Sequence, residues 1–128
     1  MQNVNTMETK QVLIVDDSVL TRMQIKNALS PIHSIQCTEV SNGSDCLKLI
    51  EQRKFDLILL DLLMPEVSGF DVLHTLKRNS NQTPVLVVSA DIQNTTRKKC
   101  LELGAISVIT KSIDFSDLKT KVTQILNP

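Results

Sequence analysis

The chain has 128 residues, enough for one domain with a core of respectable size. Fourteen Lys and Arg cancel fourteen Asp and Glu, so no net field recruits nucleic acid or an anionic membrane. No apolar run exceeds four residues, far short of the roughly 18 that a membrane-spanning helix needs. Met1 to Lys10 are polar and lack the apolar segment of a secretory signal, so residues 1–9 read as a flexible leader before a domain over 10–128. The expected location is the cytoplasm. Cys37, Cys46 and Cys100 form no Cys-x-x-Cys pair, which points to reduced, partly buried thiols rather than a disulfide framework or zinc site. With Phe55, Phe70 and Phe115 as the only aromatic residues, the core must be built from Leu, Ile and Val.

In chain order, short β-branched runs alternate five times with amphipathic stretches, the pattern of βαβ units and a parallel sheet. The first strand is expected over 11–15. Ser18 then caps a helix with Thr21, Ile25, Ala28 and Leu29 on one face, which Pro31 stops. Residues 35–40 form the most polar strand, best placed at an edge. His33 and Cys37 are four apart, but that spacing clamps a metal only on a helix, and the β-like residues around them argue against one. A second helix begins near Gly43-Ser44 and buries Cys46, Leu47 and Ile50. A strand over 57–60 and a third helix after Gly69, with Phe70, Leu73 and Leu76 inward, come next. A strand over 84–88 precedes a fourth helix from about Ile92 to Leu103, which Gly104 ends as a left-handed cap. The last strand spans 105–110. The fifth helix shows Phe115, Leu118, Val122 and Ile125 at helical spacing, with Asp114 and Asp117 about its first turn. The continuous apolar character of the strands predicts helices on both faces of a five-stranded, doubly wound α/β sheet.

Five side chains fall at, or one step past, the strand ends: Asp16, Asp17, Asp61, Ser89 and Lys111. In open α/β sheets ligands bind in the crevice beyond the carboxyl ends of the strands. Taken singly, an Asp after a strand is usually a turn or capping residue, Ser89 an N-cap and Lys111 a solvated strand end. The bland reading has to hold at four strand ends at once. Three carboxylates gathered at one edge repel each other, and a hard divalent cation such as Mg2+ relieves the repulsion, with Lys111 compensating further. Asp56 lies five residues before Asp61, roughly 16 Å away along a strand, and is no rival.

Over residues 10 to 127 the chain resembles the receiver domain of two-component response regulators. The matching strings are Val12-Leu-Ile-Val-Asp-Asp-Ser18, Phe55 to Leu73, Pro84 to Ala90, Leu103-Gly-Ala105 and the Lys111 region. The resemblance implies a flavodoxin-like fold with strand order 2-1-3-4-5. It implies Asp61 as phosphoacceptor, attacking a phosphohistidine of a histidine kinase or phosphotransfer protein. Mg2+ would be held by Asp17 and Asp61 directly, by Asp16 through water, and by the Leu63 carbonyl. Lys111 and the Ser89 hydroxyl would each meet a phosphoryl oxygen. Met64-Pro65 and Gly69 would shape the loop after the acceptor. The chain would be a stand-alone regulator that catalyses only its own phosphorylation and dephosphorylation, its output a downstream protein and neither nucleic acid nor membrane.

Two residues depart from the family. Ser112 stands where a proline, commonly preceded by a cis bond, follows the lysine; a cis bond before serine costs about 3–4 kcal/mol, so a rearranged loop is expected. Val108 replaces a Tyr or Phe whose ring couples phosphorylation to the face of helix 4, strand 5 and helix 5. Leu63 and Asp91 occupy the positions that tune dephosphorylation. Arg97-Lys98-Lys99 read as a solvated polar face. The runner-up is an interaction module of the same fold that works without phosphorylation. An aspartate-nucleophile phosphatase would need an acid where Leu63 stands, and a flavin-mononucleotide carrier would find its phosphate repelled by Asp16-Asp17.

Overall fold

The computed structural model describes residues 9–90, 93–111 and 115–126. Along them run β1 (Lys10–Val15), α1 (Val19–Leu29), β2 (Ile35–Val40), α2 (Gly43–Gln52) and β3 (Leu57–Leu60). There follow α3 (Gly69–Arg78), β4 (Val85–Ser89), α4 (Asn94–Glu102), β5 (Ser107–Thr110) and α5 (Ser116–Leu126). The strands form one parallel sheet in the order β2-β1-β3-β4-β5, the expected doubly wound, flavodoxin-like arrangement, with the polar β2 at an edge.

Successive strand residues face opposite sides of the sheet, and both sides are apolar. Val12, Ile14, Leu57, Leu59, Leu86, Val88 and Ile109 pack with Ile25 and Leu29 of α1 and with Leu118, Val122 and Leu126 of α5. Their neighbours Leu13, Val15, Ile58, Leu60, Val85, Val87 and Val108 pack with Cys46 of α2, Val72, Leu73 and Leu76 of α3, and Cys100 of α4. Two aliphatic cores thus clamp the sheet. Leu47, Ile50 and Phe70, expected inside, lie only half-buried at the margin of the second core.

Helix starts follow the capping residues. The Ser18 hydroxyl accepts from Thr21 N–H at 3.1 Å, and Ser68 and Asp71 form a reciprocal capping box at α3. α4 ends in a Schellman motif: Gly104 takes a φ of 103°, its N–H donates to Leu101, and the Ala105 N–H donates to Cys100. That last bond ties Ala105 to the helix, which is why β5 begins at Ser107 rather than at 105. The basic run on α4 is not a uniformly solvated face. Arg97 is half-buried and donates from Nη1 to the Val108 carbonyl at 2.9 Å, and the Lys99 ammonium sits 4.4 Å over the Phe70 ring. The leader up to residue 8, Asp91, the Lys111-Ser112 bond and the Asp114 cap lie outside the described residues.

Candidate functional site

Register and period-two alternation assemble the site. Val15 pairs with Leu60, so one rung further Asp16 lies beside Asp61, whose N–H donates to the Val15 carbonyl at 2.9 Å. Adjacent strands are about 4.8 Å apart, and both aspartates continue the alternation of the α1/α5 face. Lys111 lies two residues after Ile109 and so shares that face. From the end of β5 its ammonium spans β4, coming to 2.9 Å from Asp16 Oδ2 and 3.4 Å from Asp61 Oδ1. Ser89 ends β4 on the other alternation, fully buried, and its carbonyl accepts from the Lys111 N–H at 2.9 Å.

Asp16 and Asp61 are buried, while Asp17 is exposed on the loop that leads into α1. One carboxylate oxygen from each of the three lies within 4.8 Å of the others, and no second cluster of this kind occurs among the described residues. Burial, and next the Asp16 charge, push the Asp61 carboxyl above its ordinary pKa, against the opposing pull of Lys111 and the Leu63 N–H. Burial alone would depress Lys111, but its contacts with Asp16 and then Asp61 hold it above the usual lysine value. The amine therefore stays charged where it is needed.

The donor set fits a hard divalent cation. All three residues offer carboxylate oxygens, the preferred ligands of Mg2+. Among the described residues, Asp16 Oδ2 is moreover buried with no hydrogen-bond partner; the Lys111 ammonium 2.9 Å away meets it as an ion pair and leaves acceptor capacity unused.

The structure thus brings together Asp16, Asp17, Asp61 and Lys111, with Ser89 at the same sheet edge. Leu63, expected to offer its carbonyl, gives its N–H to Asp61, and the residue is 64% exposed beside the acidic group. Asp56 is at the opposite end of the strand, where Oδ2 accepts from the Gln11 N–H at 2.7 Å. Gly69 holds α3 against the loop that follows β3: a Cβ there would lie 2.7 Å from Leu62 Cα and closer still to the Asp61 carbonyl oxygen. Arg22 went unnoticed in the sequence, although its position four residues after the N-cap Ser18 aims it back over the loop. Its Nη1 donates to the Asp16 carbonyl at 2.7 Å.

The profile of the response regulator receiver domain matches residues 12–123. The chain belongs to this family. It is similar to the transcriptional regulatory protein PcoR of Escherichia coli, 30% identical over 117 residues that cover 91% of this chain and 51% of that protein. Among solved structures it is similar to the signal receiver domain of a putative Luxo repressor protein from Vibrio parahaemolyticus, with a TM-score of 0.86, 30% identity and coverage of 92% of this chain and 90% of that one. The response regulator TrrA from Thermotoga maritima, in complex with Mg2+-BeF, superposes with a TM-score of 0.81 at 26% identity over 91% of this chain and 99% of that one. The chain spans about half the length, or less, of the curated relatives it matches. Receiver domains are signalling domains of two-component phosphorelays; they meet histidine kinases or phosphotransfer proteins and bind Mg2+ at their acidic cluster. Among the described residues, no helix is long and apolar enough to cross a membrane.

Proposed function

We propose that Asp61 is the phosphoacceptor of this receiver. A carboxylate oxygen attacks the phosphorus of a phosphohistidine on a kinase or phosphotransfer protein, the phosphorus–nitrogen bond breaks, and the donor imidazole leaves with the electron pair. Phosphoryl transfer asks chiefly for alignment and for neutralisation of charge on the equatorial oxygens. Lys111 supplies that charge, its ammonium already 3.4 Å from the acceptor. This juxtaposition is the observation that carries the proposal. The Ser89 hydroxyl receives a second phosphoryl oxygen. Asp17 and Asp61 directly, Asp16 through water and the Leu63 carbonyl would hold Mg2+, which would neutralise the acidic cluster and the incoming phosphoryl oxygens.

Catalysis is limited to the chain's own phosphorylation and dephosphorylation. Output passes to a partner protein rather than to nucleic acid or membrane, a reading supported by the zero formal charge. Three free cysteines suit the reducing cytoplasm. Val108 favours a second reading, a module that signals without phosphorylation: it is buried in β5 and lacks the ring that would swing. Incubation with a small phosphodonor and Mg2+ separates the two. The first predicts an acid-stable, base-labile adduct on wild-type protein that Asp61→Asn abolishes. A wild-type chain that stays unmodified there and with its own kinase favours the second.

A further inference from the structure

Arg22 makes contacts that an ordinary surface ion pair does not. Its side chain is only 13% exposed, and its guanidinium spans two elements. Nη1 donates to the Asp16 carbonyl at 2.7 Å, and Nε donates to Glu39 Oε1 on β2 at 2.9 Å. Glu39 is fixed in turn by Lys26, whose Nζ lies 2.7 Å from Oε2. Both basic residues belong to α1, so Glu39 is shared between two turns of one helix.

The position matters because of where the β1–β2 ladder stops. The Asp16 N–H donates to the Val40 carbonyl at 3.3 Å, where β2 ends. In a parallel ladder the Asp16 carbonyl would next be taken by an N–H of β2. The guanidinium takes it instead, extending the sheet's hydrogen bonding one step past the strand. Asp16 Oδ1 accepts from the Ser18 N–H at 2.9 Å, and Oδ2 faces Lys111. With the Arg22 bond in place, both main-chain groups and Oδ1 of Asp16 are hydrogen-bonded, while Oδ2 is met only by the Lys111 charge. The peptide that joins Asp16 to Asp17 is therefore fixed in orientation, and with it the direction in which the exposed Asp17 carboxylate leaves the loop.

We infer that Arg22, oriented by Glu39, is a positioning residue that sets the Asp16-Asp17 loop for divalent-cation binding. The inference rests on the reading of the acidic cluster as a cation site. Glu39 has a second effect. It neutralises the guanidinium charge, so the loop gains a rigid anchor without an extra positive charge beside the cation. The planar guanidinium presents Nε and Nη1 to the two acceptors in a fixed geometry, which an ammonium on a flexible stem does not reproduce. Groups that orient metal ligands from behind typically matter by 10–100-fold in affinity, so about 10-fold is expected here.

The test uses Mn2+ binding followed by electron paramagnetic resonance, because the chain has neither Trp nor Tyr to report by fluorescence. Arg22→Ala weakens Mn2+ about 10-fold, and Arg22→Lys restores only a minor part of the loss. Glu39→Ala weakens binding on its own but adds nothing in the Arg22→Ala background. In metal-free protein, Arg22→Ala also speeds hydrogen exchange of the Ser18 amide. Should Arg22→Ala not fold, Arg22→Lys and Glu39→Ala decide the matter. A folded Arg22 variant that binds Mn2+ like the wild type overturns the role of Arg22 while leaving the site intact. Wild-type protein that binds no Mn2+ removes the site itself, and this inference with it.

Discussion

Replacing Asp61 by Asn is expected to make the metal-free protein more stable. Asp61 is 4% exposed and lies no more than 4.8 Å from carboxylate oxygens of Asp16 and Asp17. At an effective dielectric of ~20, a like-charge pair at that distance costs about 3.5 kcal/mol, and less where one partner, here Asp17, faces water. The attraction to Lys111 at 3.4 Å is worth about 5 kcal/mol on the same scale, so the pair terms nearly cancel. What survives is the cost of taking a carboxylate out of water, and Asn avoids it at the same volume. We expect a gain of about 1–3 kcal/mol, a urea midpoint higher by roughly 1 M in EDTA.

The pH dependence carries the sign. The folded-state pKa of Asp61 is raised by burial and by Asp16, so the folded protein binds this proton more tightly than the unfolded chain. Its favourable contribution is present below the unfolded value and is lost as pH rises through the folded value. The advantage of Asp61→Asn therefore vanishes in acid, where the carboxyl is protonated in both states, and grows toward neutrality. Mg2+ reverses the trend: at tenfold over its dissociation constant it stabilises wild type by about 1.4 kcal/mol and the variant by less. Urea unfolding at several pH values, with EDTA and with Mg2+, measures all of this. An Asp61→Asn protein less stable than wild type in EDTA at neutral pH would refute the reasoning.

Lys111→Met strands two buried carboxylates and is expected to cost about 2–4 kcal/mol in EDTA, part of which Mg2+ restores; equal urea midpoints would contradict the assignment of Lys111 as the compensating charge. Gly69→Ala drives a methyl into the Asp61-Leu62 backbone, so a loss of about 1–3 kcal/mol should come with weaker Mn2+ binding, read by the same denaturation and resonance measurements. Burial pushes the Cys46 thiol up to about 12 and raises Cys100 as well, both fully buried, whereas Cys37 is only half-buried. Thiol titration of native protein at pH 8 is expected to label Cys37 first, with Cys46 and Cys100 reacting only on unfolding.

The parts legible in the sequence are those that local chemistry dictates. Apolar runs marked the strands, Ser18 and Gly104 marked helix ends, and the charged residues after Val15, Leu60 and Thr110 marked the working edge. Register and alternation then left those residues little freedom in where to meet. The less legible parts depend on partners distant in sequence. Nothing within α1 says that Arg22 will find both Asp16 and, 17 residues on, Glu39. The Arg97 and Lys99 contacts likewise require β5 and α3 to be in place before the charges acquire neighbours. β5 starts later than its β-favourable residues predict because one hydrogen bond from Ala105 back to Cys100 keeps Ala105 with the end of α4.

Arg97 also bears on how a signal could leave the site. Valine at 108 has no ring to move between the Asp61 edge and the α4 face, yet the Val108 carbonyl is bound directly by Arg97 of α4. Two residues further along β5 is Thr110, paired with Ser89, and next comes Lys111. A shift of the Ser89 hydroxyl or the Lys111 ammonium toward a phosphoryl group would thus be felt by a strand whose backbone is hydrogen-bonded to α4. α4 is also the helix least committed to the core: Cys100 is its one buried residue, and among the described residues its N-cap Gln93 supplies no side-chain capping bond. A helix held so lightly can respond to a small displacement of β5 without the sheet having to yield.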